Sequence, residues 1–266
     1  MLWRILILLL FSGTLHAQTF NAAPFLAMGN TGLGQSSLYS ITNNPAGIAA
    51  LKQSQVGLAY QSHFLSSDIQ SQAIYAVLPF ASSHVVGFGA NNYGLKDVSS
   101  LLTMRGVYAK RFGQTFATAI AANYHRFYVQ NYQSDHTTSL DLGFQYYVGD
   151  RVTLGLLIRN ATSSVFPDDT PQYIAQYFAT GFAYSISEQI QVASDIYYDI
   201  HNLFNYRGGL AYRFDHRVVI RGGAASHPMQ YFGGIGLSIN KVQVDIASSF
   251  HPRLGTSPQL ALAYGF

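Results

Sequence analysis

The stretch SPQLALAYGF, Ser257 to Phe266, decides the fold. Leu260, Leu262, Tyr264 and Phe266 are large and apolar, while Gln259, Ala261, Ala263 and Gly265 between them are small or polar. Strict alternation gives an extended strand one greasy face and one small or polar face. An edge strand of a soluble sandwich would fit these ten residues. A strand that closes a barrel, meets hydrocarbon on one side and ends in an aromatic residue fits them better, because backbone groups in a bilayer must all be paired.

The same residues resemble the C-terminal signal of outer-membrane β-barrels, in which a terminal Phe and apolar residues at every second position before it are read by the barrel insertion machinery. The resemblance implies that machinery, and outer-membrane lipid, as partners.

Upstream, about 14 alternating runs follow one another from residue 54 onward, most of them long enough to cross a bilayer at roughly 9–11 residues. Their connections alternate. Tight ones fall at 81–83, 113, 149–150, 186–188, 215–216 and 240. Longer ones fall at 63–69, 93–100, 129–137, 161–172, 200–204, 226–229 and 251–256. Short turns on the periplasmic side and longer loops outside are the pattern of an outer-membrane barrel, and an even strand number places both termini in the periplasm. The expected fold is all-β: a transmembrane antiparallel up-and-down β-barrel of about 14 strands over 54–266, with a small N-terminal plug over 18–53, in the bacterial outer membrane.

Composition agrees. Only 10% of residues are charged, against about a quarter in soluble domains, and 19 Tyr and 18 Phe stand beside a single Trp. A mean hydropathy of +0.12 is low for a helical membrane protein, but alternation halves the signal in a barrel. The net charge of +3 comes without a basic cluster, so no nucleic-acid partner is expected. There is no Cys, hence no disulfide or thiol chemistry. The opening MLWRILILLLFSGTLHAQ has a positive Arg4, an apolar core and a small residue before Gln18, so residues 1–17 read as a secretory signal peptide.

Residues 18–53 are punctuated by Gly, Ser and Asn, with one helical turn expected near Ser37–Ile41. Ala27-Met28-Gly29-Asn30-Thr31-Gly32 is followed by Asn44-Pro45-Ala46-Gly47-Ile48-Ala49. The pair resembles the N-terminal signature of FadL-like outer-membrane proteins, including the PorV and PorQ relatives associated with type IX secretion in Bacteroidota-type bacteria. There, A-M-G-G precedes N-P-A-x-L-A. Asn30 stands where the family usually has a second Gly, and Ile48 where it has Leu.

Alternation also assigns faces. Leu142, Leu154, Ile196, Leu210 and Ile246 face out, while Arg105, Asp141, Arg159, Asp195, Asp199, Arg207, Arg213, Arg221 and Asp245 face in. Mixed signs in similar number suggest a salt-bridged lumen rather than an ion filter.

Reactive chemistry finds little footing. The histidines show no H-E-x-x-H and no tight pair, so no metal and no cofactor is expected. Asp135-His136 and Asp215-His216 read as solvated turns, and Pro167-Asp168-Asp169 has too few oxygen ligands around it for Ca²⁺. No spacing singles out a nucleophile and a base, so the chain is not read as an enzyme. The resemblance implies an accessory or interaction subunit of a protein secretion or surface-attachment system, with protein partners at the outer loops. The alternative is a FadL-like channel for hydrophobic small molecules, in which Phe20, Phe25, Leu26, Met28 and Leu33 would contact the ligand; the preferred reading of these five is that they only anchor the plug to the wall.

Overall fold

The computed structural model describes residues 20–132, 134–167, 170, 172–199 and 204–266. The expected signal peptide, Asp168, Asp169 and the tip of the 200–203 connection lie outside the described residues.

Alternating segments cannot fold alone, because each must pair its backbone and hide its small-residue face. Here they do both at once. The strands are β1 (Gln55–Ser62), β2 (Ile69–Ala81), β3 (His84–Leu95), β4 (Ser99–Phe112), β5 (Phe116–Val129), β6 (Asp135–Val148) and β7 (Val152–Arg159). They continue as β8 (Tyr177–Ser185), β9 (Ile190–Asp199), β10 (Phe204–Asp215), β11 (Val218–Ser226), β12 (Met229–Ile239), β13 (Val242–His251) and β14 (Gly255–Gly265). Each pairs antiparallel with its sequence neighbours, and β14 pairs with β1 to close the barrel. In the closing ladder Leu262 faces Leu58 and Leu260 faces Tyr60. The Phe266 amide donates to the Ser54 carbonyl at 2.9 Å, so the ladder is paired to the last residue.

Parity along the strands separates two surfaces. Leu58, Ile74, Phe88, Ile120, Leu210 and Ile246 stand exposed on the outside. The C-terminal Leu260, Leu262, Tyr264 and Phe266 share that face. Phe80, Phe112, Phe214 and Phe266 ring the end with the tight turns, and Tyr60, Tyr128, Tyr206 and Tyr231 the other. An apolar band between aromatic girdles is the exterior that hydrocarbon accepts. The inward face carries many small residues, with Ala59, Ala109, Ala117, Ala179 and Ala261 among those that are buried.

Six of the seven longer connections are shorter than the spacing predicts, and the one expected at 161–172 is longer. Gly94 pairs with Ser100 and Ser226 with Met229, so the ladders run on through residues that read as loop. Only 160–176 remains a long connection. Arg213 is a second departure: it keeps inward parity but lies exposed at the end of β10, beyond the packed interior.

Residues 20–54 fold back against the inward face. Helix α1 (Ala23–Ala27) has Pro24 in its first turn, where a missing N–H costs nothing. A 3₁₀ turn at Leu38–Ile41 is capped by the Ser37 hydroxyl, and another at Pro45–Ala50 by the Asn44 side chain, as expected of N-cap residues. Wall and segment are complementary in size. Phe25, Met28, Leu33, Leu38, Ile41 and Ile48 are among the largest fully buried side chains of the molecule.

Placing a cation on the outward face tests the parity. Leu142→Arg, near the middle of β6, is expected to destabilise the barrel in lipid by about 2–4 kcal/mol in a denaturant titration. Arg213→Leu at the rim should shift it by less than about 0.5 kcal/mol.

Candidate functional site

The residues singled out by the sequence converge where the N-terminal segment meets the wall. Ala27 and Met28 end helix α1 and are buried. Gly29 follows with φ of +74°, and a Cβ there would lie 2.6 Å from the Gly208 carbonyl oxygen of β10. Asn30 has φ of +60°. Asn is the side chain that best tolerates this left-handed region after Gly, which accounts for its standing in the place of the resembled family's second Gly. The segment touches the wall closely at two further points. A Cβ on Gly155 of β7 would lie 2.1 Å from the Leu33 oxygen, and one on Gly209 of β10 would lie 2.2 Å from the Met28 oxygen. Phe20, Phe25, Leu26, Met28 and Leu33 are all buried.

Polar anchors hold the same segment. The Asp195 carboxylate, from β9, accepts the Gly32 amide at 2.8 Å and the Leu33 amide at 3.3 Å. Asn44 donates to the Leu33 carbonyl at 2.8 Å and to the Phe144 carbonyl of β6 at 3.0 Å, while its side-chain oxygen accepts the Ala46 amide. Pro45 and Ala46 thus begin their 3₁₀ turn already fixed to the wall. Gln145 donates to the Leu33 and Gln35 carbonyls at 2.9 and 3.0 Å.

The lumen charges form two groups. Asp141, with no exposed surface, lies between Arg105 at 3.3 Å and Arg159 at 2.9 Å. Asn123 and the Asn160 amide also donate to it. One carboxylate facing two guanidinium groups leaves an excess of positive charge, and the segment meets it with backbone. Arg105 donates to the Ile41 carbonyl at 2.8 Å, and Arg159 to the Thr42 and Asn43 carbonyls at 2.7 and 2.9 Å. On the opposite wall Arg221 pairs with Asp245 at 2.6 Å. Arg207 lies over the Tyr197 ring at 3.7 Å and donates to the Asn30 carbonyl at 3.4 Å. Asp199, at the end of β9, is partly buried. Outside the strands, burial pushes the Tyr39 phenol above its ordinary range. It also lowers the His63 imidazole, which bonds Ser71 at 2.8 Å.

One cluster escapes sequence spacing. Ser139 lies 2.9 Å from His125, whose other ring nitrogen meets Thr103 at 3.1 Å. Asn123 donates to the same Ser139 hydroxyl. All four are buried, and the arrangement completes the hydrogen bonds of inward polar groups. It spans three strands, so only the barrel register brings it together. Among the described residues no group of His, Asp and Glu is placed to hold a metal. Asp215 and His216 contact each other in an exposed turn, and His136 stacks on Tyr124.

No family model and no curated protein matches the chain. Solved structures do. The Ralstonia pickettii toluene transporter TbuX is 14% identical, with 93% of this chain and 98% of that chain covered and a TM-score of 0.66. The Pseudomonas putida toluene transporter TodX is 12% identical, with 94% and 99% covered and a TM-score of 0.68. A Pseudomonas aeruginosa FadL homologue is 12% identical, with 94% and 99% covered and a TM-score of 0.64. The strands and their connections make up about four-fifths of this chain. Coverage of 93–94% therefore reaches beyond the barrel into the inward-folded segment. What is shared is the fold of the closed barrel.

Wedging the segment off its wall separates the two parts experimentally. Gly155→Val and Gly209→Val together should expose residues 20–53 to an added protease, each costing about 1–3 kcal/mol of overpacking. The barrel itself should still run as a heat-modifiable band. Protease resistance equal to wild type would mean that the close approaches do not hold the segment in place.

Proposed function

We propose that this chain is an outer-membrane β-barrel that passes hydrophobic small molecules, with residues 18–53 as its plug and both termini periplasmic. The observation that carries the reading is the likeness of the closed 14-strand barrel to solved outer-membrane barrels. It is a likeness to proteins described as toluene transporters and a FadL homologue. The apolar outer band between aromatic girdles supports the membrane setting. Helix α1 brings Phe25, Leu26 and Met28 into the lumen, so a passing ligand would meet apolar side chains there, with Phe20 and Leu33 beside them. The accessory role in type IX secretion, and with it a Bacteroidota-type source, rests on the motif resemblance alone. With most loops this short, cargo capture would fall to the single long connection at 160–176.

Uptake separates the readings. Cells displaying the protein should take up radiolabelled toluene severalfold faster than cells carrying an empty vector, and extracts of the purified barrel should contain hydrophobic small molecules. Unchanged uptake, together with a stoichiometric co-purifying protein, would overturn the channel in favour of the accessory role.

A further inference from the structure

We propose a lipid-binding site on the outer wall, at β1–β5 and β14, for an amphiphile with an uncharged, hydroxyl-rich headgroup. The proposal rests on the membrane setting argued above, not on what the lumen passes.

The apolar exterior treats its polar side chains in two ways. Thr118, Thr180 and Ser194 point outward and return their hydroxyls to the carbonyls of Gly143, Gly155 and Arg207. Gln72 and Asn92 do not. They are cross-strand neighbours on β2 and β3, both exposed on the outer face. Among the described residues neither amide has a protein hydrogen-bond partner. Gln72 pairs with Tyr60 of the loop-end girdle, so both amides stand at the depth of lipid headgroups and are open to a polar partner there.

The surrounding surface is shaped for one. Toward the loop end, Gln72 and Asn92 line a cavity of about 400 Å³ together with Gln70, Ser100, Tyr128 and Gln130. Its rim is built from connections tied side by side: the Lys96 amide donates to the Asp68 carbonyl, and the Gln130 amide to the Val98 carbonyl, each at 2.8 Å. Toward the middle of the wall, the same two amides line a groove of about 500 Å³ whose other walls include Leu58, Ile74, Leu102, Leu260 and Leu262. Ala90 forms part of its floor, paired with Ile74 on one side and Met104 on the other. A polar cavity running into an apolar groove through shared amides is the outline of a headgroup and its acyl chain.

Charge narrows the headgroup. The cavity lining carries the carboxylates of Asp68 and Asp97 against the single ammonium of Lys96, which disfavours a phosphate. Amides and hydroxyls that both donate and accept suit the hydroxyls of a sugar.

The test uses the full chain in nanodiscs containing equal parts of a diglucosyl diacylglycerol and a phosphatidylglycerol, with retained lipid read by native mass spectrometry. The diglucosyl lipid should be retained at least tenfold over the phosphatidylglycerol. Gln72→Leu with Asn92→Leu should abolish that preference while leaving the barrel heat-modifiable, since leucine suits a lipid-facing position. Ala90→Trp should abolish it by filling the groove. Equal retention of the two lipids, preference for the phosphatidylglycerol, or an unchanged preference in the double variant would each overturn the site. A chain that failed to enter the nanodisc would overturn the membrane setting beneath it, and toluene uptake by the double variant stays at the wild-type rate if the lumen is intact.

Discussion

Pairing of every backbone amide and carbonyl around a ring of strands is the constraint on which the rest depends. An apolar exterior leaves no water to satisfy a free edge, so β14 must find β1, and it does so to its last residue. Closure then dictates the interior. A ring of fourteen strands is wide enough to need filling, and its small inward residues cannot fill it. The N-terminal segment supplies the bulk that the wall lacks, and glycines such as Gly155 and Gly209 let its backbone press against the strands.

The buried charges follow the same logic. Two arginines against one aspartate would be poorly solvated inside a wall. The Ile41, Thr42 and Asn43 carbonyls complete their hydrogen bonds. These carbonyls become available because the 3₁₀ turn ends at Ile41 and the next begins after Asn44. Wall and segment are therefore mutually dependent: the segment's non-helical backbone needs donors, and the arginines need acceptors.

Much of this was legible from alternation. Strand number, face and closure come from a period of two that survives in every run, and the inward parity of Asp141, Arg159, Asp195 and Asp245 follows from it. What alternation cannot report is register, so the bonds from Arg105 across β5 to Asp141, and the Ser139–His125 contact, stayed hidden. Loop lengths were overread because Gly94, Ser99 and Ser226 have the composition of loops while their backbones continue the ladder. The segment's turns are too short for a periodic signal. Pro24 at a helix start and Asn44 before Pro45 are capping signs that point to α1 and to the turn after Asn44.

The two halves of the segment are held by different forces, and that bears on how a hydrophobic molecule could coexist with so full a lumen. Residues 41–46 are pinned by guanidinium and amide hydrogen bonds, which no apolar ligand can replace. Helix α1 has no side-chain cap and packs its apolar side chains chiefly on β12 and β13. Contacts of that kind are non-directional, so apolar ligand surface can substitute for them at little cost. The Asp195 carboxylate, bound to the amides of Gly32 and Leu33, marks the boundary between the halves. An opening that trades protein–protein apolar contacts for protein–ligand ones would lie on the α1 side of that boundary, leaving the charged anchor undisturbed.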